Sequence, residues 1–179
     1  DPEGTGLSSQ RYVFPAPVAG PRGIHSSVLD AHRVTSWIPG ETRSGTQEDL
    51  VAFVDWAVNA YATPDSRFLL VLSGHGSGVT DDFFLSDAGS ADSLTIRELG
   101  TAMNAVAGVI RTKTGRPNRK LDVLGLDACF MAMGEVACSL TDSVDIMIGS
   151  EGAAPEFGWP YQRILEAAQA YRQQRNGPM

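Results

Sequence analysis

Apolar residues return every three or four positions in three parts of this chain, a spacing typical of helices with one buried face. The first helix is predicted after Thr46, which can cap it. Its predicted buried face holds Leu50, Phe53, Val54, Ala57, Val58 and Tyr61. Thr95 and Glu98 have capping-box spacing and predict a second helix, whose apolar positions are Ile96, Leu99, Met103, Val106 and Ile110. The last predicted helix carries Tyr161, Ile164, Leu165, Ala168 and Tyr171.

Three apolar-rich runs predict buried strands, and the first of them is continuously apolar, as expected for a strand covered on both faces. They are Phe68–Leu72, Leu121–Leu126 and Val144–Ile148. A further helical stretch, with Met131, Met133, Val136 and Leu140, follows the second run. Strands that alternate with helices in this way indicate an α/β fold with a mainly parallel sheet flanked by helices.

Residues 1–45 are rich in Gly, Pro and Ser and are poorly patterned. Short strands are predicted at Arg11–Phe14 and Val34–Ile38, and Phe83–Leu85 is predicted to form a hairpin arm. The length of 179 residues fits a single domain over residues 1–179. The sequence has no run of 18 apolar residues, so no membrane span is predicted.

The charge balance argues against nucleic acid as a partner. Fourteen basic and 21 acidic residues give a net charge of −7, which favours encounters with cationic partners instead. One basic cluster surrounds Gly115 and Pro117 without interleaved aromatic residues, and we interpret it as a solvated loop. Its members are Arg111, Lys113, Arg116, Arg119 and Lys120.

The two cysteines, Cys129 and Cys138, are nine positions apart. On one helix they would be about 13 Å apart, beyond the limit of about 7 Å for a disulfide, so two free thiols are expected. Free thiols favour a reducing, cytoplasmic compartment, although a secreted enzyme without disulfides is also compatible. The chain opens at Asp1 without an initiator Met and is expected to be a fragment or a processed subunit.

The chemistry-bearing residues follow two of the predicted strands. His75 comes just after the first strand, and Cys129 just after the second, where functional groups of α/β sheets collect. A thiol becomes a strong nucleophile beside an imidazole or at a helix N-terminus, and Cys129 is predicted to begin a helix. The two residues are 54 positions apart, close to the caspase pattern, in which the histidine lies about 50 residues upstream.

Several motifs in order resemble the clostripain-like cysteine peptidases, which are related to caspases, legumains, gingipains and separases. The resemblance covers roughly residues 46–170 and implies a caspase-like three-layer sandwich. It rests on Leu72–Gly78 (LSGHGSG), on Leu126–Met131 (LDACFM) with Glu135 and Ala137 following, and on Ile148–Glu151 (IGSE) leading to Gly158–Tyr161 (GWPY).

The resemblance implies a Cys/His dyad in a cysteine endopeptidase. Cys129 would attack the scissile carbonyl, and His75 would protonate the leaving amine. The backbone N–H groups of Gly76 and Cys129 would form the oxyanion hole, a role that suits a glycine loop. Asp127 stands where the family has an acidic residue of the S1 pocket, which implies cleavage after Arg or Lys.

The chemistry of Asp127 agrees with that implication, because a carboxylate beside the scissile bond pairs with a guanidinium or ammonium group. Capping of the following helix is the alternative role for Asp127. Further candidates for the wall of the pocket are Glu151, Glu156 and Trp159.

A cysteine endopeptidase with a Cys/His dyad requires no cofactor. Neither H-E-x-x-H nor a Cys/His zinc spacing occurs. The acidic residues Asp81, Asp82 and Asp87 are best interpreted as a solvated loop, although calcium assists some relatives and a carboxylate-rich loop suits it. Relatives often cut their own chain between the histidine and the cysteine, which makes Arg97 and the basic cluster candidate self-processing sites.

Other functions fit the sequence less well. The glycines around His75 lack the third glycine of the G-x-G-x-x-G dinucleotide fingerprint, since Val79 stands there, and no G-x-S-x-G elbow of a serine hydrolase occurs. Cys138, His25 and His32 are interpreted as structural or surface residues. The alternatives are a protease subunit of a bacterial regulatory or defence complex that a partner protein activates, and a catalytically silent binding module. The expected partners are otherwise a protein or peptide substrate, or another fragment of the same precursor.

Overall fold

The computed structural model describes residues 45–87 and 92–176 and four short strands nearer the N-terminus. These strands are β1 (Tyr12–Val13), β2 (Ala19–Gly20), β3 (Gly23–Ile24) and β4 (His32–Arg33). They pair antiparallel, β1 with β4 and β2 with β3. The strand predicted at Arg11–Phe14 is therefore confirmed at its centre, whereas Val34–Ile38 and His25 lie outside the described residues.

The chain divides into two compact units, and the prediction of a single domain stays a prediction. The first unit contains Asp1–Leu7 and Thr42–Gly158, and the second contains Ser8–Glu41 and Trp159–Met179. The second unit holds β1 to β4 and the predicted last helix, which is α4 (Tyr161–Asn176). The large apolar side chains of α4 are exposed by about two-fifths to three-fifths; they are Tyr161, Ile164, Leu165 and Tyr171.

The first unit contains a three-stranded parallel sheet and a three-stranded antiparallel sheet. Its elements in chain order are α1 (Gln47–Tyr61), β5 (Leu69–Ser73), β6 (Gly76–Gly78), β7 (Phe83–Asp87), β8 (Asp92–Leu94), α2 (Ile96–Thr114), β9 (Leu121–Asp127), α3 (Gly134–Leu140) and β10 (Val144–Gly149). The parallel sheet has the order β10-β9-β5, and the antiparallel sheet has the order β6-β7-β8. The predicted α/β fold with a parallel sheet flanked by helices is confirmed.

The first two helices of this unit begin at the predicted caps. The Thr46 hydroxyl accepts the Asp49 N–H at 3.4 Å, and Thr95 and Glu98 form a complete capping box. The face of α1 is narrower than its spacing predicts: Leu50, Val54 and Val58 are buried. Phe53 and Tyr61 are instead 42% and 57% exposed, because an apolar stripe at helical spacing does not settle which large side chains reach the core.

The basic cluster is only partly a loop. Helix α2 continues to Thr114 and ends at Gly115, which adopts a left-handed conformation with φ 68°. Arg111 and Lys113 therefore lie in the last helical turn, where positive charge is favourable beside the free carbonyl groups. The interpretation as a solvated loop is wrong for these two residues.

The parallel sheet buries one face more fully than the other. Leu72, Leu124 and Leu126 lie in a core shared with α1, α2 and α3. Strand residues alternate between the faces, and on the second face Leu69, Ile146 and Ile148 are each about half exposed. The prediction of buried strands is wrong for these three residues, because an apolar-rich run indicates a strand but not what lies against each of its faces.

Asp122 joins β5 to β9 at the end of the sheet opposite to the motifs. Its carboxylate accepts the Phe68 N–H at 2.9 Å and forms ion pairs with Arg67 and Arg119 at 2.8 and 2.7 Å. Burial raises the pKa of the Asp122 carboxyl, but the hydrogen bonds from Arg67 and Phe68 and the charges of Arg119 and Arg67 outweigh burial and lower the pKa overall. The Asp122 carboxylate therefore stays ionised and links β9 to the residues that precede β5.

Candidate active site

The parallel strands bring the sequence motifs to one edge of the sheet. Ser73, the last residue of β5, pairs in register with Asp127, the last residue of β9. On the other side of β9, Leu126 pairs with Gly149, the last residue of β10. All three motifs thus begin at the carboxyl edge, as expected for a functional site of an α/β sheet.

His75 is exposed in the short connection between β5 and β6. Its carbonyl oxygen accepts the Leu85 N–H at 2.9 Å, and the following Gly76 pairs with Phe84 of β7. In this antiparallel pattern Gly76 belongs to a non-hydrogen-bonded pair, so its own N–H points away from β7. An oxyanion donor must be an N–H group that is not used in strand pairing, and the orientation of Gly76 meets this requirement.

Gly76 lies against the backbone of the cysteine segment. A Cβ atom at Gly76 would be 3.0 Å from the Cys129 carbonyl oxygen and 3.1 Å from the Met131 Cγ atom. Contacts this short leave little room for any side chain, so the two segments approach closely because residue 76 is glycine. The structure therefore brings the segment of His75 together with that of Cys129.

Cys129 is partly buried in a turn, and its thiol is free. The residues from 150 to 158, here called the 150–158 loop, run alongside this turn. The Ala154 N–H donates to the Cys129 Sγ atom over 3.2 Å, and the Phe130 N–H donates to the Gly152 carbonyl over 3.0 Å. Backbone groups of the loop thus hold both the thiol and the residue after it.

The expectation that Cys129 begins a helix is wrong. Helix α3 begins at Gly134, with Met133 as its N-cap. Phe130 has φ 60°, a left-handed conformation that interrupts a right-handed helix directly after the cysteine. Activation of the thiol by a helix N-terminus is therefore not supported, and the imidazole remains the candidate activator.

Asp127 is 3% exposed. Its Oδ2 atom accepts the Ser73 hydroxyl at 3.4 Å, and a Cβ atom at Gly158 would be 2.8 Å from the same oxygen. Because α3 begins seven residues later and has Met133 as its N-cap, the alternative role of Asp127 as a helix cap is wrong. The carboxylate lies between the end of β5 and the end of the 150–158 loop.

Residues 26–176 match the model of the clostripain family of peptidases. The chain belongs to this family. The match begins further toward the N-terminus than the motif region does, and it includes His75, Asp127 and Cys129. A search of curated proteins finds no match to this chain.

Solved structures of clostripain-family (C11) proteases share the fold. A secreted C11 cysteine protease from Bacteroides thetaiotaomicron is 18% identical, with a TM-score of 0.58 over 79% of this chain and 41% of that chain. A secreted C11 cysteine protease from the same organism, in complex with an irreversible peptide inhibitor, is 20% identical, with a TM-score of 0.61 over 80% of this chain and 38% of that chain. An inactive zymogen C11 protease from Parabacteroides distasonis is 23% identical, with a TM-score of 0.56 over 89% of this chain and 39% of that chain. This chain thus spans about two-fifths of each solved relative.

The remaining predicted pocket residues of this clostripain-family chain lie on or after the 150–158 loop. Glu151 and Glu156 are exposed there. Trp159 belongs to the second unit, where its ring centroid lies 6.5 Å from that of Tyr161. The roles of all three in substrate binding stay predictions.

In the part of the chain that the structure describes, no group of three or more His, Cys, Asp or Glu residues is placed to hold a metal ion. Asp82 accepts the Ile96 N–H at 2.8 Å and so satisfies the start of α2. Calcium dependence stays a prediction. Nor does any helix among the described residues have the length and apolar character needed to cross a membrane.

Sequence reasoning missed Ser73 and the backbone of the 150–158 loop. The register of two adjacent parallel strands would have indicated Ser73, since both strand ends were predicted. The loop contacts come from the Ala154 N–H, which every residue type except proline can supply, and from the Gly152 carbonyl, which every residue type can supply. No side-chain signal could therefore have found them.

Gly78 gives a test of how closely the two segments pack. It has φ 59°, and a Cβ atom there would be 2.6 Å from both the Phe130 carbonyl oxygen and the Met133 Sδ atom. We expect Gly78→Ala to lower the free energy of unfolding by about 2 to 4 kcal/mol, from left-handed strain and overpacking together. Urea unfolding of the purified variant measures this change.

Gly108→Ala is the matched control. Gly108 lies inside α2, and a Cβ atom there would meet nothing within 4 Å, so we expect a gain of up to about 1 kcal/mol from helix propensity. Equal stability of the two variants would show that the segments do not pack as described.

Proposed function

We propose that this chain carries the catalytic residues of a cysteine endopeptidase that cleaves peptide bonds after Arg or Lys. Cys129 is the nucleophile, and His75 is its acid and base. The observation that carries the proposal is the close approach of Gly76 to the Cys129 backbone at the carboxyl edge of the sheet, in a chain of the clostripain family. Family membership supports a protein or peptide substrate.

The proposed reaction proceeds in two stages. The Cys129 thiolate attacks the scissile carbonyl carbon, and the N–H groups of Gly76 and Cys129 stabilise the oxygen as it gains negative charge. The His75 imidazolium protonates the leaving amine as the C–N bond breaks, which leaves a thioester. Water then attacks the thioester while His75 accepts its proton, and the acid product leaves with regeneration of the thiol.

Asp127 supplies the proposed preference for a basic residue. Its carboxylate is two residues from the nucleophile and 3% exposed. A buried carboxylate gains strongly from a charged hydrogen-bond partner and rejects an acidic one. Substrate reaches it only when the 150–158 loop moves relative to Asp127, since Gly158 lies against its Oδ2 atom.

A panel of fluorogenic peptides that differ only at P1 tests the proposal. We expect kcat/KM to be at least about 100-fold higher with Arg or Lys than with Gln or Asp, the order of magnitude of one buried charge pair. Parallel assays with added calcium and with a chelator determine whether the ion assists. Hydrolysis after Asp but not after Arg would contradict the proposed specificity.

The second candidate function is the same chemistry under control of a partner protein. Two observations favour this second function. The Ala154 N–H donates a hydrogen bond to the Cys129 Sγ atom, and Asp127 is buried. A protease subunit with these contacts would be slow by itself and fast once a partner moved the 150–158 loop. Peptidase rates with and without candidate partner proteins separate the two functions.

We also propose that the protein cleaves its own chain, at fewer positions than the basic residues of the sequence offer. Arg97, Arg111 and Lys113 lie within α2, and a peptidase needs an extended segment, which a helix does not offer. Arg116 is exposed after the helix, in an ion pair with Asp65 that is also exposed and therefore weak. Arg116 is therefore the exposed basic residue outside a helix between His75 and Cys129 in the described part of the chain.

A further inference from the structure

The Ser73 side chain makes a hydrogen bond to the proposed specificity carboxylate, that of Asp127. Ser73 and Asp127 are paired across β5 and β9, and side chains in register on neighbouring strands project from the same face. The Ser73 hydroxyl donates to the Asp127 Oδ2 atom over 3.4 Å. The contact is therefore set by strand register and not by the 150–158 loop.

The two residues differ sharply in accessibility. Asp127 is 3% exposed, whereas Ser73 is exposed to solvent. Gly158 lies against the same Oδ2 atom, so one carboxylate oxygen is flanked by the hydroxyl and by the loop. Ser73 thus joins the buried carboxylate to the protein surface.

A serine hydroxyl has capacity for a second partner at this position. It carries one donor and two acceptor lone pairs, so a hydroxyl that donates to Asp127 can still accept an N–H group. A guanidinium presents five N–H donors in a planar fork, whereas an ammonium is a compact group with three. An arginine side chain at P1 could therefore bond to the carboxylate and to the hydroxyl at once.

We propose that Ser73 is a positioning and specificity residue of the P1 pocket, which orients the Asp127 carboxylate and accepts an N–H group from a P1 arginine. The inference rests on the proposed cleavage after basic residues. It adds a preference for Arg over Lys at P1. The planar guanidinium can donate to the Asp127 carboxylate and to the Ser73 hydroxyl oxygen with separate N–H groups that lie in one plane, which the ammonium group of lysine cannot.

Steady-state kinetics of Ser73 variants in the whole natural polypeptide test the proposal. We expect Ser73→Ala to raise KM about 10-fold for a P1 Arg peptide, as one lost hydrogen bond to a charged group implies. The rise for the matching Lys peptide should be smaller, and kcat should change little for either. Ser73→Thr keeps the hydroxyl and suits a strand, so it should restore KM, whereas Ser73→Val, of nearly the same shape, should not.

Thr112→Ala serves as the control, since it removes an exposed hydroxyl that donates to the Gly108 carbonyl on α2. Unchanged KM in Ser73→Ala, or equal rises for Arg and Lys, would overturn the inference while leaving the proposed function intact. Failure of the wild-type protein to cleave either basic peptide would instead remove the proposed function. Should Ser73→Ala not fold, the comparison of the Thr and Val variants decides alone.

Discussion

Replacement of Cys129 by alanine is expected to lower kcat for peptide hydrolysis by about 10⁴-fold or more, because the variant cannot form the acyl-enzyme. The turn that holds Cys129 is built from backbone contacts of Phe130 and Ala132 with the 150–158 loop, so the loss should leave the fold intact. Urea unfolding midpoints of the variant and the wild type check this point.

Cys138→Ser is the matched control for the nucleophile. Cys138 is the other free cysteine and is exposed on α3, so its replacement should change kcat by less than about twofold. A Cys129→Ala protein that keeps a tenth or more of the wild-type activity would contradict the assignment.

His75→Ala should cost nearly as much as the loss of Cys129, and the double variant should cost no more than either single one. Residues that act as one catalytic unit show this non-additivity. His75 is exposed in its loop, so a stability effect is not expected to obscure the kinetics. Independent, multiplicative losses in the double variant would mean that the two residues do not act together.

Asp127→Asn is expected to lower kcat/KM for a P1 Arg peptide by about 100- to 1,000-fold, since it removes the charge from a buried group that pairs with the substrate cation. The substitution keeps the shape of the side chain and its contact with Ser73. Cleavage after a neutral P1 residue should be unchanged or faster, which makes the neutral peptide an internal control for folding and for the dyad.

Asp145→Asn is the external control for the specificity carboxylate, because Asp145 is an exposed acidic residue on β10. It should leave the preference for basic residues as it is. A similar loss with Arg and neutral peptides in Asp127→Asn would assign to Asp127 a structural role and not a specificity role.

Much of the fold follows from local signals in the sequence. The runs at Leu121–Leu126 and Val144–Ile148 became β9 and β10, and the capping box at Thr95 fixed the start of α2. These predictions succeed because each signal acts within a few residues of its own element. The placement of His75 and Cys129 past adjacent strand ends follows from the same signals, together with the rule that parallel strands share one carboxyl edge.

The parts that could not be predicted depend on contacts between distant segments. Met131 and Met133 have the spacing of a helix with Val136 and Leu140, yet they precede α3, because Phe130 adopts a left-handed conformation beside Gly78. Nothing in a phenylalanine side chain signals that conformation. The burial of Asp127 likewise depends on Gly158, which lies 31 residues later in the chain.

The most direct test of the central claim is a covalent trap of the proposed nucleophile. The wild-type protein is incubated with an arginyl or lysyl acyloxymethyl ketone, with and without calcium, and the adduct is located by peptide mass spectrometry. We expect one adduct per chain, on Cys129, and none in the Cys129→Ala variant. The absence of an adduct on Cys129 under both conditions would contradict the account and favour a binding module, and labelling by an aspartyl probe instead would overturn the role of Asp127.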